Sequence, residues 1–559
     1  MNDYLSRFNL KKLFSGLDWK LLLFLLLFLN VKLAVKIPAI ILIYVLRPDF
    51  KFGFSLNNSR LPLFYLAVIV IGLIDLVLNH NYATPNYLPV LLCGIAFWLM
   101  CILAVHQVKL FVEHNAVAVI HKTLLVFFVL NAAFSLLNIA AIVWETHALN
   151  PYLYQGQYQK YFISTGDFIK GVTFDTSTTN AVINAFGVIY FLDKKNPIMT
   201  LLCMAILLLT GSNFTNIIML GILGFLFMFK TTRDQKSVLT VCLLFVIVFM
   251  GRVSPQNNDY VLETFRNVFK LKKPVVVRVP DFIMPITLRP DSTLNPEERK
   301  QKIATLYVDS LNLEIAKRRH PDTLPKTAIV TYTGEILIPK PSIHGPTYQW
   351  LRKTPPEQKQ LVDFVKTHQA ELPLSGKTFH ESRIPGKVIG FMQTANYYKS
   401  HPVKAIGGNG MGNFSSKLAF RATGLKFTGG YPAKYAYINP LFMANHLDVY
   451  LNFFSKNPSL HSLTNSPFSV YDQLLAEYGL MGLLALVLLY FWFFASHYKK
   501  LGYGISLLLF VGALFFIDYW FEQLSVIVLF ELMMFLNIKE GESLALDGDE
   551  KLALKKATA

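Results

Sequence analysis

From Glu381 to Gly482 the sequence gathers the side chains that could do chemistry. Between Glu381 and Val470, Arg383, Lys387, Lys399, Lys404, Lys417, Arg421, Lys426, Lys434 and Lys456 stand against a single acid, Asp448. Cations at that density concentrate anions, phosphates above all. Within this stretch GGNGMGNF begins at Gly407, and its four glycines in six residues suit close backbone approach or an anion-binding nest of N–H groups. It follows no apolar strand and lacks a Lys-Ser or Lys-Thr ending, so it is not a P-loop. Just before it, GKVIGFMQTANYYKSHP puts Val388, Phe391, Met392 and Ala395 on one helical face with Lys387 at its start, which predicts an amphipathic helix lying against a membrane. Elsewhere Asp75, Asp518, Glu522 and Glu531 sit in or beside apolar runs, where a carboxylate marks a candidate site. Asp518 and Glu522, one helical turn apart, are expected to face an outer cavity.

The elements that position these residues are apolar. Of 559 residues 53% are hydrophobic, 14% aromatic and only 16% charged, with mean hydropathy +0.41. Such a chain is a polytopic membrane protein. Cys93, Cys101, Cys203 and Cys242 all lie in apolar runs and leave the polar segment without a disulfide framework. About twelve crossings are predicted: a tight hairpin of two short spans within Trp19–Leu46, then Leu61–Asn79, Tyr87–Val105, Lys122–Trp144, Asn180–Leu192, Ile198–Gly211, Phe214–Phe229, Ser237–Gly251, Gln473–Ser496, Gly502–Phe516 and Asp518–Ile538.

The hairpin decides the orientation. With the N-terminus cytoplasmic, Arg47, Lys51, Arg60, Lys109, Lys122, Lys194, Lys195, Lys230, Arg233, Lys236, Lys499 and Lys500 all fall inside, as does the lysine-bearing tail. The polar segment then lies outside. It carries 29 Lys and Arg against 15 Asp and Glu from residue 252 to 470, which accounts for +14 of the formal +18. Nucleic acid is a poor partner for such a segment, whereas membrane lipids are natural ones. The expected order is an all-α membrane body with nine spans in 1–251, an extracytoplasmic α+β insertion in 252–380, the site-bearing loop in 381–470, three spans in 471–538 and a cytoplasmic tail in 539–559. In the insertion, AIVTYTGEILIP reads as two short strands about Thr333 and Gly334.

Taken together, Gly386-Lys387 before a helix, SHPVKAIGGNGMGNF, and YDQLLAEYGLMG opening a span resemble the O-antigen ligase and O-antigen polymerase superfamily of bacterial membrane glycan transferases. LLTGSNF from Leu208 to Phe214 is similar to the family's Thr-Gly-Ser-Arg landmark. The resemblance covers the membrane body and residues 382–482, not the insertion, and implies a GT-C-like helical fold. It also implies transfer of a glycan from undecaprenyl pyrophosphate, without metal or cofactor, to another lipid-linked glycan (polymerase) or to lipid A-core (ligase).

Such a reaction needs cations for the departing pyrophosphate and a base for the attacking hydroxyl. The resemblance assigns the first task to Lys387, Arg383, Lys404 and Arg421, with Asn213 in the slot of the landmark arginine. Lys387 replaces a loop arginine and loses its bidentate fork. Phe468 and Ser469 stand where the family has His-Asn, so the base falls to His461, His446 or Glu477, with Asp472 a further candidate. The missing histidine tips the choice towards a polymerase. A multi-pass transporter or flippase for lipid-linked glycan and a catalytically silent binder are the alternatives.

Overall fold

The computed structural model describes residues 16–154 except 31, 166–255 except 175, 385–423, 431–446 except 438, and 465–557, with a few positions between 294 and 337 and at 449, 450 and 453. Among these, a helix falls on each of the twelve predicted stretches. They are α1 (Trp19–Phe28), α2 (Leu33–Leu46), α3 (Phe64–Leu78), α4 (Tyr87–His114), α5 (Val117–Thr146), α6 (Ser177–Asp193), α7 (Pro197–Leu209), α8 (Asn213–Phe229), α9 (Arg233–Val248), α13 (Val470–Ala485), α14 (Gly504–Leu514) and α16 (Ser525–Ala557). Four helical runs are long and apolar enough to cross a membrane: α4, α5, α9 continued to Val253, and α13 continued to Ala495. This is a helical membrane protein.

Local signals set the helix starts. Asp18 accepts the amides of Lys20 and Leu21, Asn196 caps α7 before Pro197, and Thr232 with Gln235 forms a capping box on α9. The two-helix reading of Trp19–Leu46 holds: α1 and α2 are separate, and Lys36 Nζ binds Phe28 O at 2.7 Å and Ser525 Oγ at 2.6 Å at the turn. At the other end of this hairpin Lys20 Nζ donates to Leu46 O. The basic connections gather at that end, where Lys539 Nζ binds Val112 O and Asn115 O, Lys194 pairs with Glu540, and Lys230 Nζ donates to Gly502 O.

α6 and α16 form the centre. From Ser177 to Leu192 every α6 residue is buried, as is α16 from Ser525 to Asn537. A helix buried on all sides shows little periodicity, which is why α6 reads weakly in sequence. Its Asn180 is paired on both sides, with Asn131 Nδ2 donating to Asn180 Oδ1 at 2.9 Å and Asn180 Nδ2 to Ser135 Oγ at 3.0 Å.

Opposite the basic connections, the polar segment supplies α10 (Gly386–Ser400), α11 (Lys417–Ala422) and α12 (Pro440–Asn445). In the insertion β1 (Ile329–Val330) pairs antiparallel with β2 (Ile336–Leu337), as the strand–turn–strand reading expects. The last span differs from its predicted bounds. A short helix α15 (Trp520–Gln523) comes first, then Leu524 in the left-handed region at φ 69°, and only then α16. Asp518 lies before α15, so it and Glu522 do not share a face of one long helix.

Within α13, Gly479 has φ 63° and ψ −161°, which breaks the helix. The glycine-rich turn fills the break. Asn409 N and Nδ2 donate to Ala476 O, Gly410 N to Glu477 O, and Tyr398 Oη to Leu475 O and Ala476 O. Carbonyls released by the break are thereby satisfied inside the bundle, where no water could replace them. A Cβ on Gly479 would lie 2.4 Å from Ile406 O, and one on Gly408 (φ 92°) 2.4 Å from Glu477 O. The turn reaches deep. A Cβ on Gly94 of α4 or Gly72 of α3 would strike Met411, and Gly72 lies about 9 Å below the end of its helix at 1.5 Å per residue.

Gly479→Ala and Gly408→Ala are each expected to cost upwards of about 2 kcal/mol, since a side chain there meets both strain and backbone. Gly251→Ala, with nothing within 4 Å, serves as the control. Thermal midpoints of the detergent-purified variants check this; equal midpoints for all three would refute the fitted break.

Candidate functional site

The site is built where α10, the glycine-rich turn, α12 and the first turns of α13 meet. α10 buries Gly386, Ile389, Gly390, Gln393, Thr394 and Tyr398, and leaves Val388, Met392 and Ala395 exposed. This inverts the arrangement of a soluble helix, its polar face turned inward and its apolar face outward, and suits an interface with lipid.

On the inward side, Thr394 Oγ1 donates to Asp472 Oδ1 at 2.8 Å, and Asp472 Oδ2 lies 2.9 Å from His446 Nε2. All three are buried. Each comes from a different element: Thr394 from the middle of α10, His446 from the C-cap of α12, and Asp472 from the first turn of α13. The carboxylate makes Nε2 the protonated nitrogen, so Nδ1 carries the basic lone pair. Nδ1 is buried and has no hydrogen-bond partner among the described residues. The Phe414 ring stands edge-on to the imidazole at 5.0 Å.

Glu477 is held differently. Its carboxylate accepts the amides of Gly412 (2.8 Å), Ser416 (2.9 Å), Phe414 and Ser415 (3.3 Å each). The nest anticipated in the glycine run is thus filled by the protein's own acid. With four N–H donors on it Glu477 is a clamp, not a base, which corrects its assignment as a catalytic candidate.

Lys387 is corrected in the same way. Its Nζ donates to Ser466 Oγ (2.8 Å), Phe468 O (2.5 Å) and Ile517 O (2.7 Å), so the three N–H groups of the ammonium are used. Burial pushes this lysine down to about 7, while Asp518 and Asp472 pull the other way. It fastens α10 to the approaches of α13 and α15 and has no donor left for phosphate. Phe468 packs its ring on Tyr450 and Tyr519, and Ser469 Oγ donates to Phe515 O.

The other candidates separate. Lys404 Nζ binds Asn79 Oδ1 at the end of α3, with Asp75 nearby. Asn213 opens α8, and no described contact joins it to the histidine. Arg383 and His461 lie outside the described residues. Asp518 is occupied by Tyr519 N at 2.7 Å and Gln523 Nε2 at 2.6 Å. Arg421, by contrast, makes no hydrogen bond or ion pair among the described residues, and its Nε is buried without a partner. Lys417, one turn earlier on α11, rests over the Phe468 ring at 5.8 Å. Both cations act on Glu522, whose Oε1 accepts Gln473 Nε2 at 2.7 Å. Among the described residues no three His, Cys, Asp or Glu side chains come together as a metal site.

Sequence reasoning missed Thr394, the third member of the chain, and passed over Lys417 within the basic run. For Lys417 the i, i+4 spacing to Arg421 was the available signal.

Glu477→Ala leaves four buried amides without an acceptor, a loss of about 1–3 kcal/mol for each group left unmet. Amide exchange over residues 412–416 is expected to quicken at least tenfold; unchanged exchange would remove the clamp. No family model, curated protein or solved structure matches the chain.

Proposed function

We propose that this protein transfers or polymerises a glycan from an undecaprenyl-pyrophosphate donor on the outer face of a bacterial cytoplasmic membrane, in the manner of the O-antigen ligase and polymerase superfamily it resembles, a polymerase being slightly favoured. All twelve apolar helices cross, both termini are cytoplasmic, and the polar segment is periplasmic. The separation of basic connections at one end of the bundle from the polar segment at the other supports that orientation.

The observation that carries the reading is the buried Thr394–Asp472–His446 chain, ending in an imidazole nitrogen with no partner among the described residues. His446 Nδ1 takes the proton of the acceptor hydroxyl as its oxygen attacks the anomeric carbon. The bond from that carbon to the pyrophosphate oxygen breaks, its electron pair leaves with the lipid pyrophosphate, and Arg421 and Lys417 meet the charge. The exposed apolar face of α10 keeps this apparatus at lipid level.

A transporter or flippase would use a helix break as its binding site. Here the break at Gly479 is filled by the chain's own turn, so transfer is the better account.

In nanodiscs supplied with a polyprenyl-pyrophosphate glycan and acceptor, His446→Ala is expected to lower kcat at least about 100-fold, and Asp472→Asn comparably by turning the imidazole to the wrong tautomer. Arg421→Ala should raise KM more than it lowers kcat. Full turnover by His446→Ala would end the assignment of the base.

A further inference from the structure

Behind α11 a small cavity of about 10 Å³ is lined by Trp98, Ser416, Leu418, Gln473, Phe521 and Glu522 among others. It has room for one water-sized group. Glu522 points a bare oxygen at its surroundings: Oε1 is taken by Gln473, but Oε2 is buried and has no partner among the described residues. Burying a carboxyl oxygen without a partner is costly, and such an atom in a cavity wall implies a group that completes it. The walls are as informative as the acid. Trp98 and Phe521 lie 5.3 Å apart between ring centres, and Trp98 is fixed by its Nε1–H on Tyr478 Oη at 3.1 Å. Fixed aromatic walls beside one carboxyl and one amide leave hydrogen bonding at this point to the polar pair alone.

We infer that this cavity receives one hydroxyl group of the sugar attached directly to the pyrophosphate, with Glu522 Oε2 as its hydrogen-bond partner and Gln473 holding the carboxyl in place. The inference rests on the glycan-transfer reading, because it puts the sugar next to Arg421 and Lys417, the cations given to the pyrophosphate. The size of the cavity sets the limit: one substituent enters and the ring stays outside.

The test uses the full-length protein in nanodiscs and synthetic polyprenyl pyrophosphates bearing one sugar: glucose or each of its monodeoxy forms. Both binding and transfer are measured, for wild type and Glu522→Ala, with the thermal midpoint as a check of folding and Glu522→Gln as the variant that keeps the shape. One deoxy form is expected to lose about 10- to 100-fold against glucose in wild type, the size of a buried hydrogen-bonding group left unmet, and to lose nothing in Glu522→Ala. If wild type and Glu522→Ala rank the lipids alike, the cavity has no part in selection. If the discrimination appears in binding while no lipid is ever transferred, the cavity assignment stands and the catalytic reading falls.

Discussion

One interaction holds the outer half of the molecule together, the enclosure of the Glu477 carboxylate by amides of the glycine-rich turn. A helix broken within a membrane exposes carbonyls that lipid cannot satisfy. Here the break at Gly479 and the turn at residues 407–416 complete one another: the turn donates to the carbonyls of Ala476 and Glu477, and the Glu477 side chain accepts from Gly412 to Ser416. Neither piece is stable without the other, because each leaves polar groups buried in the other's absence. The helix bundle thus owes its outer end to a segment that in sequence looks like a loop.

From that lock the positions of the chemistry follow. Fixing the first half of α13 fixes Asp472, five residues before Glu477, and Asp472 orients His446. Tyr398 ties α10 to the same break, which places Thr394 on the other oxygen of Asp472. The Lys387 clamp closes the far end of α10 onto the approach to α15, so the helix is held at both ends and its apolar face stays outward. A base needs this kind of support. An imidazole free to rotate would present either nitrogen, whereas one held by a buried carboxylate presents a single lone pair.

The helices were legible because most are continuous apolar runs, so even the hairpin around Lys36 and Pro38 could be divided into two. α15 was not, since nothing in IDYWFEQLSV separates a short turn from the start of a long apolar helix; the left-handed Leu524 is a local strain held by packing, without a composition of its own. The weak periodicity of α6 came from burial on all sides. At the site, residue types were legible and partnerships were not. The glycine run announced an anion nest, but which anion it would hold depended on a residue more than sixty positions away. His446 was one of two histidines that nothing local could rank, and its pairing with Asp472 is a product of tertiary packing alone.

The same distinction governs the cations. Net charge is a property of composition, and it predicts where anions would gather, but binding a phosphate needs donors that are still free. Lys387, expected to meet a phosphate, spends its three N–H groups on the protein, and Lys404 is drawn to Asn79. Arg421, undistinguished in a run of bases, keeps its guanidinium clear of any described partner and stands with Lys417 beside a half-buried acid. That acid explains why the cations are not simply neutralised. Glu522 is turned to Gln473 and the cavity, so it tempers the field at α11 without occupying the donors of Arg421. An arginine fully paired to a carboxylate would have to break that pair before it could hold a phosphate, whereas one held in a carboxylate's field but not bonded to it is ready for a stronger anion.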